Sequence, residues 1–189
     1  MWTGSRPASP TYRRLSKPVD PKRKSAYGSF QDTPEIRDAW KATVAFAIAL
    51  QAKVVVLQCP ASFEPTQENK DNLNHFLKMV GRVPFRLALE VRGRWGIADV
   101  RSFVESFDLI HAIDPFYQQE SPGDVFYYRL HGKGGYSYKY TDGELSHLAG
   151  QVEEASRARA GYVLFNNVFM GEDALRFLRI MPALPQACH

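Results

Sequence analysis

Six side chains able to hold or move charge stand at or near the ends of short apolar runs: Gln58, Glu90, Arg92, Arg129, His131 and Asn166. Two arginines suit a phosphate or carboxylate gripped by paired N–H groups. An imidazole exchanges its proton near neutral pH, so His131 is a candidate acid or base. Glu90 could serve as a base or orient Arg129. Gln58 and Asn166 are neutral groups suited to hydroxyls. The chemistry this set offers is binding of a small anionic or hydroxylated molecule, with proton transfer on it.

Strand parity decides which way these residues point. In Phe126 to Gly132, Tyr127, Arg129 and His131 share one face, and Tyr128 and Leu130 share the other. In Phe85 to Arg92, Leu87, Leu89 and Val91 take one face, and Arg86, Ala88, Glu90 and Arg92 the other. Val54, Val56 and Gln58 form a third such set. Helix-covered faces want apolar groups, so the polar sets should face away from the helices. Buried charge is costly unless paired. A self-satisfying ring, with Glu90 bridging Arg92 and Arg129 and His131 on a carbonyl, is the alternative to a ligand site.

The elements that position these residues alternate. Thr33-Pro34-Glu35 opens a helix carrying Ile36, Trp40, Val44 and Ala47 on one face to about Gln51. Lys53 to Gln58 is a β-branched strand, apolar on both faces. Thr66 opens a second helix, with Leu73, Phe76, Leu77 and Val80 inward, and Gly81 closes it. Strands follow at 85–91, 108–113, 125–131 and 162–166. Short helices lie near 100–107 and 172–181, and Thr141-x-x-Glu144 is a capping box opening another. Residues 114–124 hold at most one helical turn. Such a rhythm predicts an α/β fold of parallel strands, either an open doubly wound sheet or a partial (β/α)8 barrel. In both, ligands sit at the strand C-termini.

Composition excludes several classes. The 189 residues are 44% hydrophobic and 23% charged, which suits a globular chain and not a disordered one. No apolar run reaches membrane-span length, and no secretory signal opens the chain. Cys59 and Cys188 form neither a disulfide framework nor a metal pair, so a reducing cytoplasm is expected. The spacings HxxxH, HxH and DxD do not occur, so no metal or cofactor is expected, ligands drawn from separate strands being the one route left open. No G-x-G-x-x-G follows a strand, and no helix starts at Gly132-Lys133-Gly134-Gly135. His111 reads as a core histidine and Cys59 as a small buried residue.

Residues 1–24 hold Arg6, Arg13, Arg14, Lys17, Lys22, Arg23 and Lys24 against Asp20 alone. The rest of the chain is slightly acidic, so the net charge of +4 belongs to this arm. Such an arm could hold phosphate backbones. No aromatic ladder or zinc spacing accompanies it, and a solvated Pro-rich loop is the preferred reading. The expected organisation is a basic loop or arm at 1–30, a (β/α) domain at 31–182 and a loose tail at 183–189.

Ser9-Pro10-Thr11-Tyr12-Arg13-Arg14, Gln58-Cys59-Pro60, Glu90-x-Arg92-x-x-Trp95, Tyr127-x-Arg129-x-His131-Gly132 and Phe165-Asn166-Asn167 resemble, in order, successive motifs of the YecE-like family (domain of unknown function 72). The resemblance implies a TIM-barrel-like fold related to sugar isomerases, without assigning a reaction. Joined to the residue chemistry above, the expectation is an enzyme in which Glu90 and His131 do acid–base work on a small hydroxylated or anionic substrate such as a sugar or sugar phosphate. Arg92, Arg129, Gln58, Asn166, Tyr12 and Arg13 would bind it. The resemblance further implies that the strands here match the fourth to eighth of a barrel, with the N-terminal part of the family pattern absent. Open sheet edges would then invite self-association. The alternatives to a small-molecule enzyme are a nucleic-acid-associated protein using the basic arm, and an inactive shortened chain.

Overall fold

The computed structural model describes residues 26–118 and 123–181. The arm before Ala26, with Tyr12 and Arg13, and the tail from Pro182 lie outside the described residues. The chain forms two compact units, residues 1–111 and 112–189. No described helix is long and apolar enough to cross a membrane.

In the first unit, α1 spans Pro34–Ala49, β1 Val54–Cys59, α2 Gln67–Val80, β2 Arg86–Val91 and α3 Ile97–Ser106. The Thr33 hydroxyl accepts from the Ile36 N–H at 3.2 Å, and Thr66 does the same for Asn69. Each satisfies an amide that the helix itself cannot. Gly81 ends α2 at φ 62°, a conformation costly for any residue with a Cβ. Ile36, Trp40 and Ala47 of α1 join Leu73, Phe76 and Leu77 of α2 and Leu87, Leu89 and Val91 of β2 in one core. Trp40 packs edge-on to Phe76 at 5.5 Å. Phe30 is fully buried against Phe63 and Phe76, and this anchor holds Ser29 and Phe30 at φ 50° and 54°.

In the second unit, β4 spans Val125–Leu130, α4 Asp142–Ser156, β5 Ala160–Phe165 and α5 Met170–Ile180. The capping box is formed: Thr141 Oγ1 accepts from the Glu144 N–H at 3.2 Å, and the Glu144 carboxylate accepts from the Thr141 N–H at 2.8 Å. Tyr128 and Leu130 pack with Leu145, Leu148 and Val152 of α4 and Phe177 of α5. Gly161 lies opposite Phe126 in the register, and a Cβ there would stand 2.3 Å from the Phe126 ring. Only glycine fits.

All strand pairs are parallel. β1 pairs β2 from Val54↔Arg86 to Cys59↔Val91, and β4 pairs β5 from Val125↔Ala160 to Leu130↔Phe165. The short β3, Ile110–Ile113, pairs Ile110 and His111 with β2, and Ala112 and Ile113 with β4. The strand order is therefore sequential, β1-β2-β3-β4-β5. A doubly wound sheet reverses its order at a switch point; consecutive strands of a (β/α) barrel do not. This is the expected α/β, partial TIM-barrel-like order.

Some local expectations shift. The strand expected at 108–113 begins at Ile110, because Asp108 takes φ 49° and the Leu109 N–H closes the end of α3 on Val104. β1 is not buried on both faces: Val54, Val55 and Val56 are half-exposed, since β1 ends the strand order. Residues 114–118 make one helical turn, with the Gln118 N–H donating to the Asp114 carbonyl at 3.0 Å.

Candidate functional site

The register places Gln58 beside Glu90 on the face of β1 and β2 turned away from the helices. Glu90 is buried, and Arg92 Nε donates to Glu90 Oε1 at 2.8 Å. The pair answers the cost of burying the carboxylate, while the Arg92 side chain keeps about a third of its surface exposed. The following turn is fixed by Trp95, whose Nε1–H donates to the Phe63 carbonyl at 2.6 Å and whose ring stacks on Phe63 at 5.6 Å. A Cβ at residue 93 would fall 2.6 Å from that same carbonyl, so the Glu-x-Arg-x-x-Trp run needs Gly93 inside it.

Cys59 is fully buried next to this pair. Burial, then the Glu90 charge, pushes its thiol well above the ordinary range. It is the small inert residue expected from the sequence. A thiol reagent at about pH 8 should leave Cys59 unlabelled in the folded chain and modify it once guanidinium unfolds the protein. Peptide mapping that finds Cys59 labelled under native conditions would contradict this.

The second unit assembles a different group. Arg129 and His131 lie on the face of β4 opposite Tyr128 and Leu130, as parity requires. Asn166 Nδ2 stands 3.2 Å from His131 Nδ1. With the amide nitrogen donating, Nδ1 accepts and the ring proton rests on Nε2. In that form His131 offers a neutral N–H donor, the form able to polarise an oxygen without adding charge. The Asn166 N–H donates to the Leu130 carbonyl at 2.8 Å, continuing the ladder past the end of both strands.

Asp114 belongs to this group and was not among the sequence candidates. Its Oδ2 accepts from the His131 N–H at 3.1 Å and its Oδ1 from the Phe116 N–H at 3.1 Å. The available signal was Asp-Pro at the end of a strand, where an Asx turn is common. Gly132 follows His131 at φ 84°; a Cβ there would meet the Gly135 carbonyl at 2.4 Å. Its N–H donates to the buried Tyr140 hydroxyl at 2.8 Å. Burial holds the Tyr140 phenol in its protonated form.

The tyrosines after β4 divide. Tyr136 is exposed, Tyr138 donates to Glu144 at 2.7 Å, and Tyr140 is core. Partial burial raises the Glu144 carboxyl, but the Thr141 N–H, the Tyr138 hydroxyl and Lys133 outweigh it and bring it to about 2. Lys133 also lies over the Phe116 ring at 4.4 Å, and Tyr117 donates to the Lys133 carbonyl at 2.7 Å. Behind this loop, Asp173 is fully buried and accepts from Asn167 Nδ2 at 2.7 Å and Arg176 Nη1 at 2.9 Å.

Of the residues expected at one site, Gln58, Glu90 and Arg92 belong to the first unit, and Arg129, His131 and Asn166 to the second. Each set lies at strand C-termini, on the face away from the helices. Among the described residues, no group of three or more His, Cys, Asp or Glu is placed to hold a metal ion. A groove of about 1180 Å³ in the second unit is lined by Ile113, Tyr128, His147 and Gln151, on the helix-covered face and away from Arg129 and His131.

The fold has counterparts in known structures. A DUF72 family protein from Thermotoga maritima is 25% identical and superposes with a TM-score of 0.60, covering 77% of this chain and 63% of its own. One from Enterococcus faecalis is 19% identical with a TM-score of 0.65, covering 82% and 70%. A second crystal structure from that organism gives 21% and 0.58, covering 71% and 62%. The chain thus spans less than two thirds of the Thermotoga protein's length. Among curated proteins, none matches. The sequence profile described as "Protein of unknown function DUF72" matches residues 21–187, and the chain accordingly belongs to the DUF72 family.

Proposed function

We propose that the second unit binds a small anionic, hydroxylated molecule of the sugar-phosphate class at the C-terminal ends of β4 and β5 and acts on it as an enzyme. The observation that supports this most is the His131–Asn166 contact at 3.2 Å, beside an Asp114 carboxylate that holds the His131 backbone. An imidazole with both its ring and its main chain held is set for directional hydrogen bonding. Arg129, two residues earlier on the same face, supplies the positive charge for the anion. His131 Nε2–H polarises a ligand oxygen by donating a hydrogen bond to it. Asn166 sets the tautomer. In the first unit, Glu90 is proposed as a proton acceptor held by Arg92, with Gln58 beside it for a hydroxyl. Tyr12 and Arg13 remain proposed ligand contacts on the basic arm.

Thermal melts against a panel of sugar phosphates test the reading. A ligand present at about 100 times its Kd should stabilise the wild type by ~2.7 kcal/mol, or roughly 5–10 °C in a chain this size. Arg129→Leu should fold with little loss and show no such shift. His131→Gln should keep the shift and lose turnover. Ligand stabilisation that survives unchanged in Arg129→Leu would remove the anion-binding role.

A further inference from the structure

The outer face of α5 is apolar and uncovered. Leu175 and Leu178 are 59% and 66% exposed, and Gly171 continues their stripe one turn earlier. The inner face carries Phe177 and the hydrogen-bonded Asp173, both buried, so α5 is anchored to its unit by the side opposite Leu175 and Leu178. An apolar stripe left exposed among the described residues marks a contact surface. β5, the strand before α5, ends the strand order, so no described strand covers its outer edge.

The charges beside this stripe indicate what covers it. Glu172 and Arg179 are exposed, seven residues apart, on the same flank of Leu175 and Leu178. Seven residues are two turns, ~10 Å along the axis. When such a helix meets an antiparallel copy of itself, each flank faces its own equivalent, and Glu172 of one copy falls opposite Arg179 of the other. Leu175 then falls opposite Leu178. The pattern is complementary to itself when antiparallel, whereas in a two-fold parallel pair each flank would meet the partner's opposite flank and Glu172 and Arg179 would not meet. Lys139 pairs with Glu172 at 2.5 Å, and the Glu172 side chain keeps about half of its surface exposed.

We propose that two copies of this chain associate through α5 across a two-fold axis, with Leu175 and Leu178 at the centre and two Glu172–Arg179 pairs at the sides. Closed two-fold pairing is the commonest arrangement of identical chains. A single helix pair buries less than a standard interface, so the dimer is weak, with a dissociation constant in the micromolar range. The inference does not depend on the proposed ligand site, whose residues lie at the ends of β4 and β5.

Sedimentation equilibrium of the full chain at micromolar and higher concentrations tests it. The wild type should show a monomer–dimer equilibrium. Glu172→Arg and Arg179→Glu should each weaken it about tenfold, since symmetry doubles each altered pair. The double reversal E172R/R179E should restore it, and Leu178→Lys should abolish it. Circular dichroism melts should fall by a few degrees at most, the two variants carrying Glu172→Arg by the most because they lose the Lys139 pair; Arg179→Glu and Leu178→Lys, which break no such pair, carry the test if those melt low. A wild type that stays monomeric would overturn the proposal. So would reversals without effect, a double reversal that fails to restore, or open-ended assembly in place of a dimer.

Discussion

Replacing Asp173 with alanine is expected to destabilise the second unit by ~2–4 kcal/mol, the cost of leaving two buried donors without their acceptor. The carboxylate is fully buried. It accepts from Arg176 at 2.9 Å, from Asn167 at 2.7 Å and from the Tyr140 N–H at 3.4 Å. Alanine leaves the Asn167 amide and the Tyr140 N–H short of an acceptor in a place water does not reach. Arg176 keeps Asp142 and the Tyr140 carbonyl, so its charge is not stranded. The melting temperature should fall by roughly 10 °C. Asp173→Asn, which keeps the shape and some hydrogen bonds, should cost less. A loss under about 1 kcal/mol in Asp173→Ala would show that the network contributes no stability. Asn167 is the neighbour of Asn166, so the same variant should also loosen the His131–Asn166 contact.

Acid should weaken the fold through His111. This histidine lies on β3, in register with Leu89 on the helix-covered face, and burial lowers its pKa from 6.5 to about 4. The unfolded chain therefore takes up the proton before the folded chain does. Stability from this group is fully present above pH 6.5 and is lost as pH falls from 6.5 towards 4. The shift corresponds to ~3 kcal/mol at its limit. Urea unfolding at about pH 7 and about pH 4.5 should show a larger loss in the wild type than in His111→Leu, which cannot titrate. Equal losses in the two proteins would mean that His111 is not held neutral by the fold.

Local signals made most of the framework legible. Thr33, Thr66 and the Thr141–Glu144 box cap helices where their types and spacing say they should. Alternation along β2 and β4 assigns Leu87, Leu89, Tyr128 and Leu130 to the helix side. These features arise from contacts within a few residues, which a sequence displays directly. The half-exposed valines of β1 were hidden, because an edge strand and a central one share the same apolar run. Asp114 was hidden because its partners, His131 and Phe116, meet it through main-chain N–H groups that no residue type announces. Gly93 and Gly161 were hidden for a related reason. Their need for glycine comes from Phe63 and Phe126, some 30 to 35 positions away. The Asp173 network joins residues about 30 apart in the same manner.

The connection from β3 to β4 takes eleven residues, 114–124, and its described part contributes a single helical turn. The connection from β1 to β2 takes 26 residues, 60–85, and includes the whole of α2. Chain entropy makes the shorter closure cheaper by ~0.8 kcal/mol. Parallel strands ordinarily meet late in folding, because a long crossover must be ordered before the ladder can form. Here the Ala112↔Tyr127 and Ile113↔Tyr128 pairs can meet before any crossover helix exists. Refolding of the second unit therefore has a natural starting point at β3 and β4. Substitutions at Ile113 and Tyr128 should slow folding more than they speed unfolding, while those on α5 should do the reverse.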